Sequence, residues 1–327
     1  GYDVSPMSNL IDALNRLQTL RSDDDISELD SLQNATDDFS EVTMLDESDM
    51  PISSPVATHE LAQVEQSPEP CMDLPSKAWL EIVRKEYLQG YVRDGGGAVK
   101  FGVLPNVESQ GALTNSLGED ARQDNFVFAK VDARYTKVHM VDRLFHKIAK
   151  QLDWDELAYH YVVRLLVEHS YQIPVERKEF TLHHVAALNE RKEPLLRRDL
   201  QTWLEETIEG DASLCREFRM AIIRLCLAQL ESGESDRVLG NAVKDWLCGD
   251  LRLISGVKKA LIFQKVARHN ARYLLSSLTH WLRLAGKSGL IVTLDISRYL
   301  DSKRPTEPDR TLYYSSTAVL DLYDMLR

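Results

Sequence analysis

The residues L-P-N-V-E-S-Q-G at 104–111 stand between a β-forming run, AVKFGVL (98–104), and a helix-forming run, SQGALTNSLGEDARQ (109–123). That order is the frame of a phosphate-gripping loop, which needs G-x-x-x-x-G-K-[ST]. The glycines admit backbone N–H groups to phosphate oxygens, the Lys neutralises the β and γ phosphates, and the hydroxyl holds Mg²⁺. Here Leu104 and Ser109 occupy the glycine positions, Gln110 the Lys position and Gly111 the Ser/Thr position. Leu104 and Pro105 crowd the cradle, and Glu108 adds a negative charge where phosphate would lie. A later apolar run, LIVTLDI (290–296), ends in Asp295, but Ile296 stands where a water-activating Glu would follow. The frame is present and the cation that would hold a triphosphate is not.

Several elements must position these residues. Ser76 is a plausible helix N-cap, and Trp79, Ile82, Val83, Tyr87 and Tyr91 follow at helical spacing until Gly95-Gly96-Gly97 breaks the run. AVKFGVL then reads as a buried strand, 109–123 as a helix and FVFAKVDA (126–133) as a second strand rich in β-formers. Helix, strand, turn, helix, strand implies a parallel α/β sheet. From 138 to 285 the apolar residues recur at three and four, predicting helices over 138–151, 155–170, 181–188, 194–208, 213–231, 236–247 and 267–285. Gly286 and Gly289 bracket a turn into the strand 290–296. A polar loop (301–310) then leads to a last helix from about 315 to 327.

The charge is unevenly spread. The 327-residue chain carries a net charge of -12. Residues 1–74 hold 17 Asp and Glu against Arg16 and Arg21, whereas the rest holds 37 basic and 34 acidic residues. The composition of 1–74 predicts a disordered acidic arm. Within it, 8–21 would form a short amphipathic helix whose stripe of Leu10, Leu14 and Leu17 could dock on a partner. The near-neutral remainder, 75–327, neither demands nor excludes nucleic acid. No apolar run reaches the ~18 residues of a membrane span. No secretory pattern opens the chain, and Cys71, Cys215, Cys226 and Cys248 include no C-x-x-C pair, so free thiols in a cytoplasmic setting are expected.

Other chemistry-bearing residues read more plainly as structure. His183 and His184 are adjacent, and side chains of helix neighbours point apart, which argues against a shared metal. Cys215 and Cys226 fit one helix face as core thiols. Asp153, Asp155 and Glu156 suit the start of a helix. Arg191-Lys192, Arg197-Arg198 and Lys258-Lys259 could touch DNA phosphates, or form a solvated face. Arg268 and Arg272 open a helix near the Asp295 strand, where one of them could act as an arginine finger on a neighbour's nucleotide.

Three segments carry a family resemblance: EYLQGYVRDGGGAVKFGV, VFAKVDARYTKVHMVDRLFHKIAKQL and HNARYLLSSLTHWLRLAGKSGLIVTLDISRYL. Together they resemble the ATP-binding domain family of bacteriophage-exclusion (BREX) and phage-growth-limitation systems, from about residue 78 onward. The resemblance implies an AAA-like P-loop fold, here a parallel sheet with a helical insertion over 138–285. It also implies antiviral defence beside helicase- or methyltransferase-type subunits. The chain could form a homo- or hetero-oligomer. Typical members carry G-K-[ST] and D-E, and this chain departs at both. Asp295 alone carries over, as the remnant of a metal-site acid. The expectation is a P-loop-like subunit that holds no cofactor and acts by binding partners. Two alternatives are an ATPase using ATP and Mg²⁺, completed in trans by a partner, and a DNA-binding adaptor.

Overall fold

The computed structural model describes residues 75–230, 234–300 and 311–326. The acidic arm, with Leu10, Leu14 and Leu17, and the loop 301–310 lie outside the described residues. The protein is mixed α/β and mostly helical, with one small parallel sheet of two strands.

Helix α1 (Ser76–Ile82) continues through π-type turns to Tyr91. Pro75, not Ser76, is its N-cap residue, and it offers no side-chain cap. After α2 (Val107–Gln123) comes β1 (Phe126–Asp132). The long excursion between the strands holds α3 (Val141–Ala149), α4 (Trp154–Glu168), α5 (Leu182–Leu188) and α6 (Glu193–Leu204). It goes on through α7 (Arg216–Ala228), α8 (Glu234–Cys248) and α9 (Ala271–Leu284). Then come β2 (Gly289–Asp295) and α10 (Ser316–Leu326). The helices predicted from the 138–285 periodicity therefore form, with ends moved by a few residues.

The strands pair from Phe126↔Gly289 through to Asp132↔Asp295. Helices pack on both faces, which is why both strands read as near-continuous apolar runs. On one face, Leu88, Leu117, Ala121 and Phe126 form a small cluster with Phe128 and Ile291. The opposite face belongs to the main core, where Ala129 and Val131 join the buried side chains of α3 to α9. At the centre of that core Trp281 stacks on Trp154 at 5.9 Å, with Phe218 edge-on to both. Capping is local and legible: Asp153 accepts the Glu156 N–H at 2.9 Å and Thr181 the His184 N–H at 3.2 Å. At the end of α9, Gly286 takes a φ of 86°, the left-handed turn that starts the chain toward β2.

One predicted element is corrected. Residues 98–104 form no strand, and Val99, Phe101 and Val103 are 52%, 60% and 76% exposed. Their β-propensity is real, but propensity reports fit to a pleated, half-buried surface, and no neighbouring strand supplies one here. The strand that β2 pairs with is 126–132, not 98–104. The phosphate-loop frame thus lacks its first strand.

Candidate functional site

In open parallel sheets the ligand crevice lies outside the carboxyl ends of the strands. Here that end presents two carboxylates, because the register places Asp132 directly beside Asp295. Each is already engaged. The Arg134 backbone N–H donates to Asp132 Oδ1 at 2.8 Å, and its guanidinium Nη2 donates to Oδ2 at 2.7 Å while Nε reaches both oxygens. Burial alone would raise the Asp132 carboxyl, but the hydrogen bonds and charge of Arg134 outweigh it and hold the group below its ordinary range. Asp295 Oδ1 accepts from the Ser297 N–H at 3.0 Å and from its hydroxyl at 2.7 Å, an Asx turn closing the strand.

Beside the carboxylates, an aromatic group ties the segment after β2 to the turn after β1. Tyr299 and Tyr314 stack at 3.8 Å, and His139 stands edge-on to both rings. The Tyr299 hydroxyl accepts the His139 N–H at 3.2 Å and lies 2.7 Å from its Nδ1. The Tyr314 hydroxyl donates to the carbonyls of Ala133 and Thr136. Burial lowers the His139 imidazole and raises both phenols, which keeps all three neutral near pH 7.

The sequence-predicted phosphate loop lies at the same end of the sheet. Lys130 Nζ donates to Asn115 Oδ1 at 2.7 Å, and the Phe128 ring fills the space over Gly118, where a Cβ would come within 2.9 Å of it. Helix α2 therefore runs antiparallel to β1. Its start, roughly 12 Å back along the axis from Asn115, projects to the carboxyl side. Asn106 caps this start: its Oδ1 accepts the Ser109 N–H at 2.8 Å and its carbonyl the Gln110 N–H at 3.1 Å. Glu108 puts a carboxylate of the chain itself in the first turn. Leu104, Ser109 and Gln110 are partly buried and Gly111 is exposed. With a first-turn amide spent on the cap and Gln110 uncharged, these residues do not fit a magnesium–triphosphate.

The remaining candidates are placed as follows. Arg268 lies 3.7 Å from Asp321, and Arg272 donates to the Asp324 carbonyl at 2.9 Å, so both reach α10. They border a shallow groove of ≈ 220 Å³ with His139, Asp321 and Met325. His183 contacts Glu193 at 2.6 Å, apart from His184. Cys226 is fully buried, and burial raises its thiol; Cys215 instead ends the loop before α7. Arg191 pairs with Asp199 and with the Tyr171 hydroxyl, and Lys258 and Lys259 are exposed. Asp132, Arg134 and His139 were not anticipated. The signal for Asp132 was there, since FVFAKVD ends in Asp as LIVTLD does.

Comparison of the chain with protein-family models, with curated proteins and with solved structures gave no match.

Proposed function

We propose that the protein is a non-hydrolysing, P-loop-like subunit of a bacterial antiviral defence system that acts by binding partners. The observation that carries this reading is the Asn106 cap: the amide that a phosphate would take is held by a side chain at 2.8 Å, beside the uncharged Gln110. A triphosphate carries about four negative charges at neutral pH, and a helix N-terminus of about half a charge cannot balance them without a Lys. The engagement of Asp132 by Arg134, and of Asp295 Oδ1 by Ser297, supports the same reading.

The partners this reading names are helicase- or methyltransferase-type defence subunits, met in the cytoplasm. The exposed row Val99, Phe101 and Val103 offers the apolar surface that a protein partner would use. Coexpression of the full chain with such subunits tests the proposal. Stable co-elution, lost on combining Phe101→Asp with Val103→Asp, is expected. Failure of every such subunit to co-elute would contradict it.

A further inference from the structure

Residues 251–294 contain eight Lys and Arg and no Asp or Glu, while the rest of 75–327 carries 29 basic and 34 acidic residues. A near-neutral domain has therefore gathered unopposed positive charge into one stretch. Its first part is a 3₁₀ segment (Ile254–Ala260) and a loop, which lead from α8 to α9. The Trp246 indole N–H donates to the Gln264 carbonyl at 2.8 Å, and Val257, Ile262 and Val266 are buried, so this connection is pinned to the main core. The residues between those anchors face solvent: Lys258, Lys259, Phe263 and Lys265 are all exposed.

Packing draws the cations around Phe263. Lys265 Nζ donates to the Arg252 carbonyl at 3.1 Å, and the Arg216 guanidinium, at the start of α7, lies 5.8 Å from the Phe263 ring centroid. The Leu261 N–H donates to the Lys258 carbonyl at 2.9 Å, a turn that holds Lys258 and Lys259 on the same loop. Among the described residues none of these five cations forms an ion pair. The acid that precedes the stretch, Asp250, is taken by Lys150 at 2.6 Å. Toward α9 the surface continues through Arg268, Arg272 and Tyr273. Arg268 lies 3.7 Å from Asp321, whereas Arg272 donates to a carbonyl, which leaves its charge in place. Arg283 and Lys287 stand at the other end of α9, against Arg93 and Asn125, outside this group.

Phe263 is 50% exposed and Tyr273 70%. A solvated face of lysines has no use for bare rings. Cations that follow phosphates, with aromatic faces among them that take unpaired bases, are the two ingredients of single-strand recognition. A duplex keeps its bases stacked on each other, and the reading of its major groove calls for a helix or a β-ribbon rather than this pinned loop.

We infer that this surface binds a single-stranded nucleic acid, with Arg252, Lys258, Lys259 and Lys265 on its phosphates and Phe263 stacked on a base. The inference rests on this surface alone and does not depend on the protein partner proposed above.

Fluorescence anisotropy of the full chain with a labelled oligo-dT of about 20 nucleotides tests it. Saturable binding is expected at about 50 mM salt and about 50-fold weaker binding at about 200 mM, since each of four phosphate contacts adds about −0.7 to the slope of log affinity against log salt. Lys258→Gln combined with Lys259→Gln should flatten that slope by about 1.4. Phe263→Leu, which keeps apolar bulk but has no π-face, should weaken binding about tenfold at every salt concentration and leave the slope unchanged. Arg191→Gln combined with Lys192→Gln, in the turn before α6, should bind like the unmodified chain. No saturable binding at about 50 mM salt would overturn the inference, as would an unchanged slope in the lysine variant or full affinity in Phe263→Leu. A duplex of the same length that binds as tightly, or phosphatidylserine vesicles that bind while oligo-dT does not, would assign the charge to another ligand and overturn it equally.

Discussion

Asp132 and Asp295 end the two parallel strands side by side, yet one is held by a guanidinium and the other by a serine. Two carboxylates at the mouth of a parallel sheet would be the natural beginnings of a cation site. In this protein they serve as strand terminators, each bent back into its own turn.

The Asp132–Arg134 pair sets a pH dependence. A carboxyl depressed in the folded state contributes stability that is full above its unfolded value, about 3.9, and is lost as pH falls through the folded value. The urea midpoint should therefore fall below about pH 4, and Asp132→Asn should flatten that part of the profile. The Arg134 and Asp132 side chains are 42% and 29% exposed, so solvent screens the pair and the difference should be below about 1 kcal/mol. A profile identical in the two proteins would show that Arg134 does not hold the carboxyl.

The Asn106 cap makes a second prediction. Asn106→Ala should cost about 1 kcal/mol in urea denaturation, and Asn106→Asp should recover most of it, since either oxygen can accept the Ser109 N–H. If alanine proves neutral, that amide is not committed to the cap.

At the free edge of β1 the Gln151 carboxamide accepts the Lys130 N–H at 3.0 Å and donates to the Lys130 carbonyl at 2.9 Å, which gives a third. Gln151→Ala removes both contacts to Lys130 and should cost about 1–2 kcal/mol, while baring an edge that promotes self-association. Sedimentation velocity across a concentration series should show a larger dimer fraction than the unmodified chain. A monomer of unchanged stability would contradict the role given to Gln151.

The core gives a fourth. Trp281 is fully buried against Trp154 and Phe218, so Trp281→Ala should destabilise by about 3–5 kcal/mol in chemical denaturation. A loss under about 1 kcal/mol would mean that this stack is peripheral.

Periodicity made the helical part legible, because residues such as Leu274, Leu278, Trp281 and Leu282 repeat on one face of a helix and are all buried. The strands 126–132 and 289–295 were legible for a related reason, as apolar runs covered on both faces. AVKFGVL misled because its local preference for β-structure says nothing about whether a paired neighbour exists. The Asn106 cap was visible as Asn-x-x-Ser, but reading 104–111 as a phosphate loop gave Ser109 a different task. Gln151, 21 residues beyond Lys130, carries no local pattern; only the packing of α3 on β1 brings its amide to the sheet edge.

The most direct measurement is a calorimetric titration of the full chain with a non-hydrolysable ATP analogue and Mg²⁺, repeated with Asp295→Ala. No saturable binding tighter than about 1 mM, a free energy of about −4 kcal/mol, is predicted for either protein. Micromolar binding that disappears on Asp295→Ala would contradict the assignment of this domain to partner recognition.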